Sequence, residues 1–259
     1  MTSFIHETAI VSASAKIGAD CHIGAFSTIG DAVVLGDRVH LESHIVIDGT
    51  TEIGDDTRIF PFVSIGLAPQ DLKYGGEATA TEIGKRNHIR EFVTVHRGTA
   101  GGGGLTKIGD DNLLMAQAHV AHDCHIGNEV IMANAATLAG HVEIADRANI
   151  GAYSGVHQFC RVGLEAFVGG YSVVVKDAPP FATIQGNHAK CYGLNRVGMK
   201  RRGYAKESIE KLHRAYHLLL SAKLNTSQAV EKIKAEITDC AEVDLLVEFI
   251  ETSKRGIVK

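Results

Sequence analysis

From Val11 to Val174 a large aliphatic side chain returns at every sixth position, with two interruptions. Val11, Ile17, Ile23, Ile29, Leu35, Leu41, Ile47, Ile53, Ile59 and Ile65 keep one register. Ile83, Ile89 and Val95 resume it, and the run from Ile108 to Val174 adds twelve more. Of these 25 anchors 24 are Ile, Val or Leu, the exception being Met132. Neither a helix of period 3.6 nor an alternating strand has this period. It predicts a β-helix of hexapeptide repeats, each too small to bury its own face, so that stability comes from stacking.

With an anchor as position i, the i+4 column reads Ala15, Cys21, Ser27, Val33, Val39, Ile45, Thr51, Thr57, Val63, then Ala118, Cys124, Val130, Ala136 and Val142. No member is charged, so i and i+4 are expected to face the interior. The i+1 column is rich in glycine (Gly18, Gly24, Gly30, Gly36, Gly54, Gly66), as expected where a chain turns corners. Three hexads close one triangular coil, which stacks residues 18 apart. The expected fold is mainly β, a left-handed parallel β-helix over residues 1–190 followed by a small C-terminal α-helical domain over 191–259.

Two segments leave the register, residues 71–82 and residues 99–107, the second containing Gly101 to Gly104. Excursions from a regular scaffold tend to carry function. Beyond Pro179-Pro180 the period changes. Ile209, Leu212, Tyr216, Leu219 and Leu220 form a helical stripe, as do Val230, Ile233 and Ile237, then Val243, Leu246, Phe249 and Ile250; three helices are expected.

A net charge of −4 argues against general nucleic-acid binding. No apolar stretch reaches the roughly 20 residues of a membrane span, and no charged-then-apolar segment opens the chain. The five cysteines form no Cys-x-x-Cys pair and read as reduced core residues of a cytoplasmic protein.

Counting coils with the first excursion removed stacks Ile65, Val95, Val120, Leu138 and Val156 on one face. His96, His122, His141 and His157 follow the last four of these anchors, so four of the 14 histidines converge on one outward edge. Both excursions leave from that face. His119, His125, His213 and His217 read instead as ordinary surface residues. His122 stands out because Asp123 follows it: a neutral imidazole is a competent general base, and a carboxylate can orient it. Gly140 lies one coil further, about 4.8 Å away, where a glycine lets a carbonyl approach its N–H as an oxyanion donor. No Ser or Cys nucleophile is placed beside His122, which favours direct transfer. The segment Arg196, Lys200, Arg201, Arg202 and Lys206 suits a diphosphate or an acidic carrier protein. On another face the i+2 column reads Ala116, Asn134, Ala152 and Gly170, a lane of small residues roughly 14 Å long.

Along essentially its whole length the chain resembles the UDP-N-acetylglucosamine O-acyltransferases, the first enzymes of lipid A biosynthesis. The matching stretches include Pro69-Gln-Asp-Leu-Lys-Tyr-Gly-Gly-Glu77, Val95-His-Arg-Gly98, Ala118-His-Val-Ala-His-Asp-Cys124, Thr137-Leu-Ala-Gly-His-Val142, Val156-His-Gln-Phe-Cys160, Gln185-Gly-Asn-His-Ala189 and Lys200-Arg-Arg-Gly203. The resemblance implies a homotrimer with active sites between subunits. The donor would be acyl carrier protein, delivering a 3-hydroxyacyl group on its phosphopantetheine with no further cofactor and no metal. UDP-N-acetylglucosamine would be the acceptor. His122 would deprotonate the sugar 3-hydroxyl, Asp123 orient it, and Gly140 supply the oxyanion N–H. Gln70, Asp71, Lys73, His141 and Gln158 would contact the sugar or its phosphates. His96, His157 and His188 would line the cleft, and Asn195, Arg201 and Arg202 hold the nucleotide. Gly170 would act as the acyl-chain ruler, with a donor of around fourteen carbons expected. Val197 departs from the acidic residue often found there.

Rival readings are narrower. The related N-acyltransferase carries a separate N-terminal domain, whereas hexads begin here by Val11. A γ-type carbonic anhydrase needs two zinc histidines five residues apart, a spacing absent from the repeats. An acyltransferase acting on a 3-amino UDP-sugar stays open.

Overall fold

The computed structural model describes residues 2–220 and 223–259. Its body is a left-handed β-helix of triangular section, built from three sheets of eleven, nine and eight strands, parallel except for one closing hairpin, most strands only two residues long. Each strand pairs with the one a full coil away. Ile29 pairs with Ile47 and Ile47 with Ile65. The count that skips the first excursion holds, since Ile65 pairs with Val95, Val95 with Val120, Val120 with Leu138 and Leu138 with Val156. That ladder forms the nine-stranded face.

The anchors fill the interior. Ile23, Ile47, Ile65, Ile89 and Val120 are fully buried, each contributing about 1.5–3 kcal/mol of transfer free energy. Their i+4 partners Val33, Val63, Ala118, Cys124 and Val130 are buried beside them. Inward hydroxyls differ: Ser27 Oγ donates to Glu42 O at 3.3 Å, whereas Thr81 Oγ1 has no partner among the described residues.

The corners differ from expectation. The positive-φ conformation falls at i+3 and is carried by Phe26, Phe62, Phe92, Asp123, His141 and Phe159, with φ of 58° to 64°. Gly18, Gly24 and Gly54 at i+1 serve another purpose: a Cβ there would run into the backbone of the adjacent coil, at Gly36, Glu42 and Gly84. Close stacking of corners, not turning, selects those glycines.

The excursions are also displaced from their sequence bounds. The strand Ala80–Ile83 already pairs with Thr50–Ile53, so the first excursion spans residues 68–79 rather than 71–82. Thr81 is the reason, because it stacks inside on Thr51 and under Thr106, all three buried. The second runs over 97–104, through a short 3-10 turn at Ala100–Gly102, before the strand Leu105–Ile108.

The eleven-stranded sheet ends in an antiparallel hairpin, Ala182–Gln185 against Lys190–Leu194, which carries the sheet past residue 190. Helices α1 (Arg196–Arg201), α2 (Lys206–Leu220), α3 (Thr226–Glu236) and α4 (Ala241–Glu251) follow. The three expected helices are α2 to α4, and α1 is an extra turn within the basic segment. Tyr216 of α2 is buried and donates its hydroxyl to Pro180 O at 2.5 Å, fastening the helices to the last coil. Asn225 and Gln228 form a capping box that starts α3. Among the described residues no helix is long and apolar enough to cross a membrane.

Candidate active site

At the corner after Val120 the His122 ring faces the Asp123 carboxylate, with Nδ1 2.8 Å from Oδ2. An ionised carboxylate only accepts, so Nδ1 carries the hydrogen and Nε2 is left with a free lone pair. Asp123 is buried, whereas the His122 side chain keeps 16% exposure. The carboxylate is held from its other side by Thr99, whose N–H donates to Oδ1 at 2.9 Å and whose hydroxyl donates to Oδ2 at 2.6 Å. Burial pushes the Asp123 carboxyl up, but the Thr99 hydroxyl and N–H, then His122, outweigh it and hold the group below its ordinary value.

The Asp123 N–H donates to Thr106 Oγ1 at 2.8 Å. One coil on, the corresponding N–H of His141 donates to the His122 carbonyl. The second excursion removes the carbonyl that Asp123 would have used, and Thr106 replaces it. Gly140 packs on the His122 ring, and among the described residues its own N–H has no acceptor.

His141 stands edge-on to His122 at 5.1 Å and stacks on Phe159 at 4.3 Å. Burial lowers its basicity, while the Asp123 and Asp71 carboxylates oppose that shift. Asp71 lies on the first excursion, where its Oδ1 accepts the Lys73 N–H at 3.0 Å. The excursion is braced by Arg97, whose Nε donates to the Tyr74 hydroxyl at 3.0 Å. Gln70 and Lys73 on it are exposed. His157 and Gln158 are exposed one coil beyond Gly140, with His157 Nδ1 3.1 Å from Gln158 O.

His96 is buried and its Nδ1 has no partner among the described residues. Burial, then the neighbouring His119 and His122, lower its pKa to about 4, so it is neutral at neutral pH. His119, read from sequence as an ordinary surface residue, packs edge-on to His96 at 5.0 Å with Nδ1 2.6 Å from Thr94 Oγ1. His125 was read the same way. It borders a cleft of about 380 Å³ together with Gly102, Asp123, His141, Phe159 and Arg161. His213 and His217 are exposed on α2.

The remaining candidates lie elsewhere on the chain. Asn195, Val197, Arg201 and Arg202 line a second cleft of about 440 Å³ with Ile131, Asn149 and Phe167, on the eleven-stranded face. The exposed His188 sits in the hairpin turn of that same sheet. One chain thus separates this group from His122. Asn195 caps α1, its Oδ1 accepting the Gly198 N–H at 3.0 Å while Nδ2 donates to Glu165 O at 3.3 Å. Arg202 is paired with Glu129 at 2.8 Å, whereas no ion pair of Arg201 occurs among the described residues. Gly170 is exposed, and a Cβ there would lie 3.2 Å from Ala152 O, so the small-residue lane is continuous at that point.

Thr99, Thr106 and Gly102 were not singled out in the sequence, although the run of glycines after His96 marked the segment. His122, Asp123 and His141 offer three donor atoms within 4.8 Å of one another. Both Nδ1 atoms, however, approach the same Asp123 oxygen, at 2.8 and 3.9 Å. The first of these is a hydrogen bond and the second is too long for one.

The description "Udp N-acetylglucosamine O-acyltransferase; Domain 2" matches residues 177–258, and "Bacterial transferase hexapeptide (six repeats)" matches residues 105–140. Among solved structures, LpxA from Bacteroides fragilis, a UDP-N-acetylglucosamine acyltransferase, is 41% identical with a TM-score of 0.97, over 99% of this chain and 100% of that one. LpxA from Acinetobacter baumannii is 44% identical, with a TM-score of 0.97 over 99% and 100% of the two chains. The UDP-N-acetylglucosamine acyltransferase of Francisella novicida is 40% identical, with a TM-score of 0.95 over 98% and 94%.

Proposed function

The chain belongs to the UDP-N-acetylglucosamine acyltransferase family, and we propose that it moves a 3-hydroxyacyl group from acyl carrier protein to the 3-hydroxyl of UDP-N-acetylglucosamine, the first step of lipid A biosynthesis. The observation that carries the mechanism is the His122–Asp123 pair beside Gly140. His122 Nε2 takes the proton of the sugar hydroxyl as its oxygen attacks the thioester carbonyl. The Nδ1–H bond to the ionised Asp123 stabilises the imidazolium so formed. The Gly140 N–H, without an acceptor of its own, receives the oxyanion of the tetrahedral intermediate. When the C–S bond breaks, the imidazolium returns its proton to the departing thiolate, and the ester remains on the sugar. The acyl group arrives on phosphopantetheine, and this scheme needs no other cofactor.

Asp71, Lys73, Gln70 and His141 serve the sugar end, with Gln158 and His157 beyond it and His96 behind. Asn195, Arg201 and Arg202 serve the nucleotide, with His188 beside them. In one chain these two groups occupy different faces of the prism, which supports a homotrimer whose site is completed by a neighbouring copy. Phe26, Phe62, Phe92, Tyr153 and Tyr171 project, half or more exposed, along the edge that follows the eleven-stranded face. Burial of that aromatic edge between copies accounts for its exposure in the single chain.

The test is product analysis with 3-hydroxyacyl carrier protein as donor and either UDP-N-acetylglucosamine or its 3-amino analogue as acceptor, for the native chain and His122→Ala. The native protein should acylate the hydroxyl sugar, and the variant should lose turnover while keeping its oligomeric state. Acylation of only the amino sugar would reassign the acceptor. Near-normal turnover by His122→Ala would remove the general-base role.

A further inference from the structure

The second excursion has a local geometry that a spacer would not need. It leaves the nine-stranded face after His96, crosses over the next corner and returns at Leu105. At its start Thr99 gives two hydrogen bonds to the Asp123 carboxylate, one to each oxygen. At its end Thr106 receives the Asp123 N–H. Between them Gly102 passes so close that a Cβ on it would fall on the carboxylate itself. The backbone of Gly102 is not in the left-handed region, so contact with Asp123 is what demands glycine there. Gly101 next to it differs: its Cβ would meet nothing within 4 Å.

We infer that Thr99 is a positioning residue for the His122–Asp123 pair, and that the excursion is a clamp fixing the direction and ionisation of that carboxylate. The inference rests on His122 being the general base. A buried carboxylate with one partner could rotate or take up a proton, and either change would leave His122 Nδ1 without an ionised acceptor. Thr99 takes one lone pair of each Asp123 oxygen, which fixes the plane of the carboxylate and turns the remaining lone pair of Oδ2 toward His122. Thr99 touches neither substrate nor the reacting atoms and acts only through Asp123.

Four variants of the full chain test this, with kcat, KM for the UDP-sugar and the pH dependence of kcat measured for each. Thr99→Val keeps the shape and removes the hydroxyl donor. It should lower kcat about ten- to a hundredfold, the range expected for loss of a charge-assisted hydrogen bond to a buried carboxylate, with KM within about twofold. Its acidic limb should move to higher pH, because Asp123 loses a partner that favours its ionised form. Thr99→Ser should restore most of kcat and the native profile. Gly102→Ala should lower kcat by displacing the carboxylate, while Gly101→Ala should be silent. Native kcat and pH profile in Thr99→Val would overturn the proposal, as would equal losses in the Val and Ser variants or in the two glycine variants. Retained turnover in His122→Ala is a separate result that removes the base itself. If Thr99→Val does not fold, the Gly102 and Gly101 pair decides alone.

Discussion

The His122 imidazole lies against the backbone of Gly140, so closely that a Cβ on Gly140 would come 2.5 Å from Cε1 and 2.7 Å from Nε2. The base and the proposed oxyanion donor are therefore in contact before any substrate arrives. Gly140→Ala should push the ring off its hydrogen bond to Asp123 and fill the space of the reacting carbonyl. Turnover should fall by at least about a hundredfold, the scale of losing an oxyanion donor, with the melting temperature little changed because His122 points outward. Turnover within a few-fold of native would remove Gly140 from the chemistry.

Arg201 and Arg202 should act on binding rather than on the chemical step. Charge at a diphosphate contributes equally to ground state and transition state, so its loss appears in KM. The two arginines should not be equivalent. Arg202 is held by Glu129 at 2.8 Å, whereas no ion pair of Arg201 occurs among the described residues. Arg201→Ala should raise KM for the UDP-sugar about tenfold or more with kcat preserved; Arg202→Ala should do the same and also loosen α1. Steady-state kinetics at saturating donor decide it, and a fall in kcat at unchanged KM contradicts the assignment.

Gly170→Met should shift donor preference toward shorter chains. The lane Ala116, Asn134, Ala152, Gly170 is a stack of adjacent coils, as the Ala135, Tyr153 and Tyr171 N–H bonds to the carbonyls of the first three attest. A side chain at its end removes space for a few methylenes, and about 1–3 kcal/mol of lost contact is enough to reorder neighbouring lengths. Competition between donors of ten to sixteen carbons measures the shift, roughly; an unchanged profile puts the end of the acyl groove elsewhere.

His96 should make the fold sensitive to mild acid. Its pKa is about 4 in the folded chain against an ordinary 6.5, chiefly from burial. The folded state resists a proton that the unfolded chain accepts. The stability tied to its neutral form is complete above about pH 6.5 and is lost progressively as pH falls toward about 4, on the order of a few kcal/mol. His96→Gln should flatten the dependence of unfolding free energy on pH in that window, measured by urea titration at fixed protein concentration. A slope equal to the native one would show that His96 does not titrate on unfolding.

The scaffold was legible in the chain because a period of six has one structural solution, and the period alone brought Val95, Val120, Leu138 and Val156 to one face. That was enough to gather His96, His122, His141 and His157 on one edge. The limits are physical. Where an excursion ends depends on which residue can rejoin the inner stack, and Thr81 rejoins before the next aliphatic anchor announces it. The hold of Thr99 on Asp123 depends on a path through Gly101 to Gly104 that glycine composition does not specify. Glycine at i+1 was legible as a requirement but not its cause, because crowding between coils lies 18 residues away in sequence. That the Asn195 amide also caps α1 was not legible in the sequence.

The two ends of the prism are finished unequally. Phe4, Ile5 and Ile10 of the first coil remain exposed, while the last coil is closed by a hairpin and by α2 through Tyr216. In a stack where each coil leans only on its neighbours, unfolding proceeds from the least supported end. Amide protons should therefore exchange along a gradient, fastest in the opening coils and slowest around Val156 to Ala182. The edge that carries His122 and Asp123 lies well inside that gradient, so early fraying can be repaired without dismantling the proposed catalytic pair.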